Sequence, residues 1–156
     1  MTLSDLIGKE RALSAVQRET LRASVDLMIP ASPDGRMPAA SELDLFADVG
    51  NLDEPTLAAL ASGLDNLEAT AQGEHGAAFG ELDKAVQGLL MEAYRGRDPA
   101  FTRVFVLHTA ARYYAHDRVV VALGLEARPP WPEGNQIIDG DWSLLDPVRA
   151  RPPLYR

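Results

Sequence analysis

Apolar residues recur at spacings of three and four along most of this chain, and no stretch reads as a β-hairpin. The first strong pattern starts at Ser14, with Gln17 three residues on as a capping-box partner. A mixed apolar face through Val16, Thr20, Leu21, Ala23, Val25, Leu27 and Met28 then runs to Ile29-Pro30. Residues 31–40 (ASPDGRMPAA) read as loop, since they hold three breakers and a Pro-Asp-Gly turn signal. Ser41 caps a short predicted helix, SELDLFADVG, with Leu43, Phe46 and Ala47 at helical spacing. Asp53 caps the next, with Pro55 in its first turn, where a missing N–H costs nothing. Leu57, Leu60, Ala61, Leu64, Leu67 and Ala71 form its stripe, which the Gly73–Gly76 region breaks. A fourth helix is predicted from about Ala78 to Tyr94, with Phe79, Leu82, Val86, Leu89, Leu90 and Ala93 inward. Asp98-Pro99 opens the fifth and longest, reaching about Leu123 and closed by Gly124. Its register carries Phe101, Val104, Phe105, His108, Ala115 and Val119; the VVVAL run at 119–123 continues that register.

The prediction is therefore all-α, a small bundle of about five helices within residues 1–126. An irregular tail, 127–156, belongs to the same single domain and wraps either the bundle or a partner. The fifth helix is apolar on more than one side: Val104–Leu107 and Val119–Val121 leave no polar face at either end. A helix of that kind lies at the centre of its bundle or is covered by another molecule. The tail contains both tryptophans and six of the eleven prolines, with apolar side chains standing singly among Pro, Gly and Asp. Such a segment cannot bury its apolar groups by folding on itself and needs a surface to lie on.

Composition narrows the partner. A net charge of −8 argues against nucleic acid, because phosphate binding needs clustered Lys and Arg. The charge is uneven: residues 1–92 carry sixteen acids against six bases, and residues 93–156 carry seven against nine. An acidic partner surface would meet the second half. The absence of cysteine removes disulfides, iron–sulfur ligation and thiolate chemistry together. No apolar run approaches the length of a transmembrane helix, so no membrane insertion is expected. The first nineteen residues show neither an apolar signal-peptide core nor twin arginines. A cytoplasmic chain is the expectation, or a periplasmic one if it is exported with a partner.

Catalytic motifs are missing: no phosphate-binding glycine loop, nucleophile elbow, HExxH or EF-hand loop occurs. His108, Arg112 and His116 fall at i, i+4 and i+8, but two histidines eight apart are separated by about 12 Å of helix rise. With an arginine between them they cannot share a metal ion. An anion-binding stripe, with Tyr113 or Tyr114 as an acid/base partner, is the one enzymatic alternative, and the same face would otherwise serve a self-contained regulatory module. Asp139, Asp141 and Asp146 resemble a calcium loop only loosely and read better as a turn leading into a capped segment. The tail offers anchoring chemistry instead. Trp131, Trp142, Leu145, Arg149, Arg151 and Tyr155 are candidate partner-binding residues, of the types that dominate binding hot spots.

Three blocks carry a family resemblance. They are LRASVDLMIPASP at Leu21–Pro33 with the following SELDLFADV, the middle segment FGELDKAVQGLLMEAYRGRDPAF, and the tail PPWPEGNQIIDGDWSLLDPVRARPPLYR. Together they resemble the gluconate 2-dehydrogenase subunit 3 family over about Leu21 to Arg156. The resemblance implies a small, cofactor-free accessory subunit with no catalytic residues of its own. Its partner would be a large FAD-dependent dehydrogenase of the glucose–methanol–choline (GMC) type, oxidising sugars, sugar acids or glycosides. The twin-arginine signal of exported members is not visible here.

Overall fold

The computed structural model describes residues 12–127 and 140–152, and every regular element among them is helical. Helix α1 (Ala15–Met28) begins with a complete capping box. Gln17 N–H donates to Ser14 Oγ at 3.1 Å, and Ser14 N–H donates to Gln17 Oε1 at 2.8 Å, so two end donors are satisfied reciprocally. Helix α2 (Glu54–His75) starts where the Asp53 carboxylate accepts the Thr56 N–H at 3.0 Å, and it ends at Gly76 in the left-handed region, φ 68°. Helix α3 (Lys84–Arg97) leads directly into α4 (Pro99–Ala115), whose first turn is capped by Asp98 accepting the Phe101 N–H at 2.9 Å. Short helices α5 (Asp117–Ala122) and α6 (Asp146–Arg149) follow.

These helices close on one apolar core. Leu21 and Val25 of α1, Leu60, Leu64, Leu67 and Ala71 of α2, Leu90 and Tyr94 of α3, and Phe101, Phe105 and Tyr113 of α4 are all buried in it. Helices α2 and α4 pack closely at Gly63. A Cβ placed there would collide with the Phe101 side chain, so glycine is what admits that side chain against α2. Phe101 in turn stacks on Phe105 with centroids 5.7 Å apart. One polar group ties the 78–82 connection into the core. Glu68 Oε2 accepts the Thr20 hydroxyl at 3.0 Å and the Phe79 N–H at 3.0 Å, and the Gln87 amide donates to Phe79 O at 2.8 Å.

The structure departs from the sequence expectations at three places. The short helix after Ser41 is instead a pair of 3-10 turns, Ala40–Glu42 and Val49–Asn51. Leu43 is extended, and Leu43 and Leu45 both enter the core, an i, i+2 relation that a helix cannot supply. Ser41 does not cap; its hydroxyl donates to Asp26 Oδ1 at 2.9 Å. The fourth helix begins at Lys84, after a 3-10 turn at Phe79–Glu81, and its buried face is Gln87, Leu90 and Tyr94. Leu89, expected inward, is 73% exposed. The long fifth helix is broken at His116, which adopts φ −75°, ψ 133°. His116 Nδ1 accepts the Arg118 N–H at 3.2 Å, and Asp117 occupies the new first turn, where a carboxylate matches the helix dipole. Val119 then enters the core fully buried, and Gly124 closes α5 at φ 79°.

Candidate interaction surface

Helix α4 separates two kinds of face. Phe101, Phe105, Thr109 and Tyr113, at successive fours, point into the core. The opposite side presents Arg103, Val106, Leu107, Ala111 and Tyr114 to solvent, with Ala110 half-buried between them. In seventeen residues α4 contains two charged side chains, Arg103 and Arg112, and no acid. Arg112 turns toward the 43–50 loop, so the outward side is apolar apart from Arg103. Leu107 and Tyr114 are each 57% exposed. The apolar run continues beyond the His116 break through exposed Val121, Leu123 and Leu125.

Arg112 and His116 serve the architecture. Arg112 Nη1 donates to Leu45 O at 2.9 Å and pairs with the Asp48 carboxylate, while its guanidinium lies 5.7 Å from the Phe46 ring centroid. The Arg112 hydrogen bond holds the Asp48 carboxyl below its usual range. His116 is the cap between α4 and α5, and His108 is half-buried. The Tyr113 hydroxyl, in the core, donates to Pro38 O at 2.7 Å, and burial raises its pKa. A phenol so committed is a structural donor, whereas Tyr114 faces solvent. Arg118 Nη2 reaches Glu42 Oε2 at 3.1 Å and, as the largest cause, lowers the Glu42 pKa. Together these contacts pin the 38–48 connection across α4 and α5. Among the described residues no group of three or more His, Asp or Glu side chains is placed to hold a metal ion.

A groove opens beside the apolar face, between α1, α3 and α4. Its volume is about 250 Å³, and Leu27, Met28, Gly88, Met91, Phe105 and Val106 are among its lining residues. A Cβ at Gly88 would meet nothing within 4 Å, so the glycine leaves that wall open. Val106 belongs to both the groove and the outward face. Sequence reading missed this groove because its walls come from three helices whose lateral contacts no local pattern encodes; Gly88 and Met91 were the available hints.

Of the tail candidates, Trp142, Leu145, Arg149 and Arg151 are described and all are exposed, Trp142 at 69%. Trp131 and Tyr155 lie outside the described residues, as does Asp139. Trp142–Leu145 form a 3-10 turn set by Asp141, which accepts the Ser143 hydroxyl at 2.6 Å and the Ser143 N–H at 3.0 Å. Those bonds, the hydroxyl's first, lower the Asp141 pKa. Asp146 pairs with Arg149 at 3.3 Å across the single turn of α6. This is the capped segment expected from the sequence. Every described residue from 140 to 152 is exposed.

The family model described as gluconate 2-dehydrogenase subunit 3 matches residues 15–121, more than half of the chain, from the first residue of α1 into α5. No curated protein and no solved structure matches the chain.

Proposed function

This chain belongs to the gluconate 2-dehydrogenase subunit 3 family, and from that premise we propose that it is a non-catalytic accessory subunit. On this reading it binds and stabilises a large FAD-dependent dehydrogenase of the GMC type that oxidises a sugar or glycoside. Flavin and chemistry reside in that partner. The observation that carries the reading is the outward side of α4, where Val106, Leu107 and Tyr114 stand where a free-standing bundle would carry charges. Covering such side chains is worth on the order of 1 kcal/mol each, given that full burial of a large apolar side chain contributes about 1.5–3 kcal/mol. A partner that binds the folded chain stabilises it, and is stabilised by it, through mass action. The tail supplies a second contact through Trp131, Trp142, Leu145, Arg149, Arg151 and Tyr155. No described helix is long and apolar enough to cross a membrane.

The enzymatic alternative loses its principal group, because Arg112 is spent on Leu45 and Asp48. Co-expression of the chain with the flavoprotein subunit tests the proposal. Leu107→Asp with Tyr114→Asp is expected to abolish co-purification while the isolated chain keeps its helical content. Turnover per flavin in complex that still assembles should not change. Intrinsic oxidoreductase turnover by the purified chain alone would refute the reading.

A further inference from the structure

We propose that the groove between α1, α3 and α4 receives one bulky apolar side chain of the catalytic subunit, flanked in that subunit by carboxylates that meet Arg95 and Arg103. The inference rests on the subunit reading above and specifies where the partner is anchored. The groove has the right size: a 150 Å³ cavity lined by Leu, Ile and Phe accepts a benzene ring, and this one offers about 250 Å³. It has the right lining. Leu27, Phe105 and Val106 give it fixed apolar walls, and Met28 and Met91 are flexible enough to close around the ring or branched chain that enters. It also adjoins the apolar face of α4, because Val106 lines the groove, is 40% exposed, and precedes outward-facing Leu107. An anchor and the surface around it would be buried in one step.

Charge identifies the occupant's surroundings. Arg95 lines the groove and Arg103 stands on α4 one turn before Val106, a helix that has no acid. Glu92 is on the rim too, paired with Arg95 at 3.5 Å. Both members of that pair are about 70% exposed, so the contact is weak and open to exchange for a better carboxylate. A second copy of this chain suits the groove poorly. A two-fold contact through this patch would gather two copies of Arg95 and of Arg103 into one interface, with only the two Glu92 carboxylates of the rim to offset them. A partner bearing an apolar anchor between acids has no such conflict, and like-charge juxtaposition is what excludes wrong partners.

The test uses the full chain co-expressed with the FAD-dependent catalytic subunit, identified in the complex by its flavin absorbance. Gly88→Leu grows a side chain into the open groove and is expected to raise the Kd roughly 30-fold, the loss of a hot-spot contact. Ala69→Leu, on the exposed side of α2 and outside the groove, should leave Kd within about twofold. Met91→Gln, which makes the lining polar without filling it, should weaken binding in the same direction if Gly88→Leu disturbs folding. Arg95→Glu with Arg103→Glu should slow association and flatten its salt dependence. If Leu107→Asp abolishes the complex while Gly88→Leu and Met91→Gln leave Kd unchanged, the groove is not the anchor and this inference falls alone. If the chain forms no complex with the flavoprotein, both readings fall. Self-association that Gly88→Leu abolishes would also overturn it, in favour of a second copy.

Discussion

Helices α2 and α4 pack on each other and share one core, yet they meet water in opposite ways. Helix α2 is buried at Leu60, Gly63, Leu64, Leu67 and Ala71, and its exposed residues include Glu54, Ser62, Asp65, Asn66, Gln72 and Glu74. That is the amphipathic division of a helix at the edge of a finished protein. Helix α4 buries its Phe101–Tyr113 row equally well but turns Val106, Leu107 and Tyr114 outward. The contrast separates what the fold requires from what it leaves over. Stability resides in the α2–α4 contact. The outer side of α4 leaves these side chains in water in the isolated chain, and the proposed partner surface would cover them.

Substitutions at the shared contact should give the largest effects. Phe101→Ala empties the space over Gly63 and is expected to cost about 4 kcal/mol in denaturant unfolding. Gly63→Ala should cost about 2 kcal/mol net, because overpacking against the ring outweighs alanine's better helix propensity. In a Phe101→Ala background the same change should become neutral or stabilising, a coupling that a double-mutant cycle measures directly. Additive costs would mean that the close approach is not what sets glycine at 63.

Further along α4 the effects shrink. Tyr113→Phe leaves the buried Pro38 carbonyl without its donor and should cost about 1.5 kcal/mol, loosening the 38–48 connection. Thr109 is buried, and among the described residues its hydroxyl finds no hydrogen-bond partner. Thr109→Val should therefore raise stability by about 1 kcal/mol. A loss on that change would show that the hydroxyl is satisfied in solution.

At the acid end, the Asp26 carboxyl is held below its ordinary value, chiefly by the Lys84 hydrogen bond and also by Ser41. A depressed pKa contributes stability that is present above the unfolded value near 3.8 and lost as pH falls through the folded one. The gap between wild type and Asp26→Asn should accordingly be present near neutrality and close below pH 3.8. A gap constant with pH would mean that the carboxylate's charge is not what matters.

The smallest stability effects belong on the outward faces, where they sharpen the contrast. Leu107→Asp on α4 and Ala69→Asp on α2 should each change the isolated chain by less than about 0.5 kcal/mol. Only the first should disrupt the complex.

Much of this architecture was legible because its signals are local. Ser14–Gln17, Asp53–Pro55 and Asp98–Pro99 each mark a helix start within four residues, and the capping geometry follows from them. The break at His116 was not legible, for neither glycine nor proline marks it and Val119 keeps a helical register. The 41–50 segment misled because Leu43, Phe46 and Ala47 imitate helical spacing, whereas tertiary contacts with Arg112 decide its path. Hydrophobicity alone points Leu89 inward, but Gln87 takes the buried position because its amide satisfies Phe79 O. The excess apolar surface of α4 was visible at Val104–Leu107, and the structure adds that Val106 and Leu107 are its exposed members. The adjoining groove exists only once three helices are assembled.

On the proposed reading the catalytic subunit covers the outward face of α4. Hydroxyl-radical footprinting of Leu107 and Tyr114, in the free chain and in the purified flavoprotein complex, tests it most directly. Both residues should label rapidly in the free chain and be strongly protected in the complex, while exposed His75 at the end of α2 labels equally in both. Equal labelling of Leu107 and Tyr114 in an intact, flavin-loaded complex would contradict it.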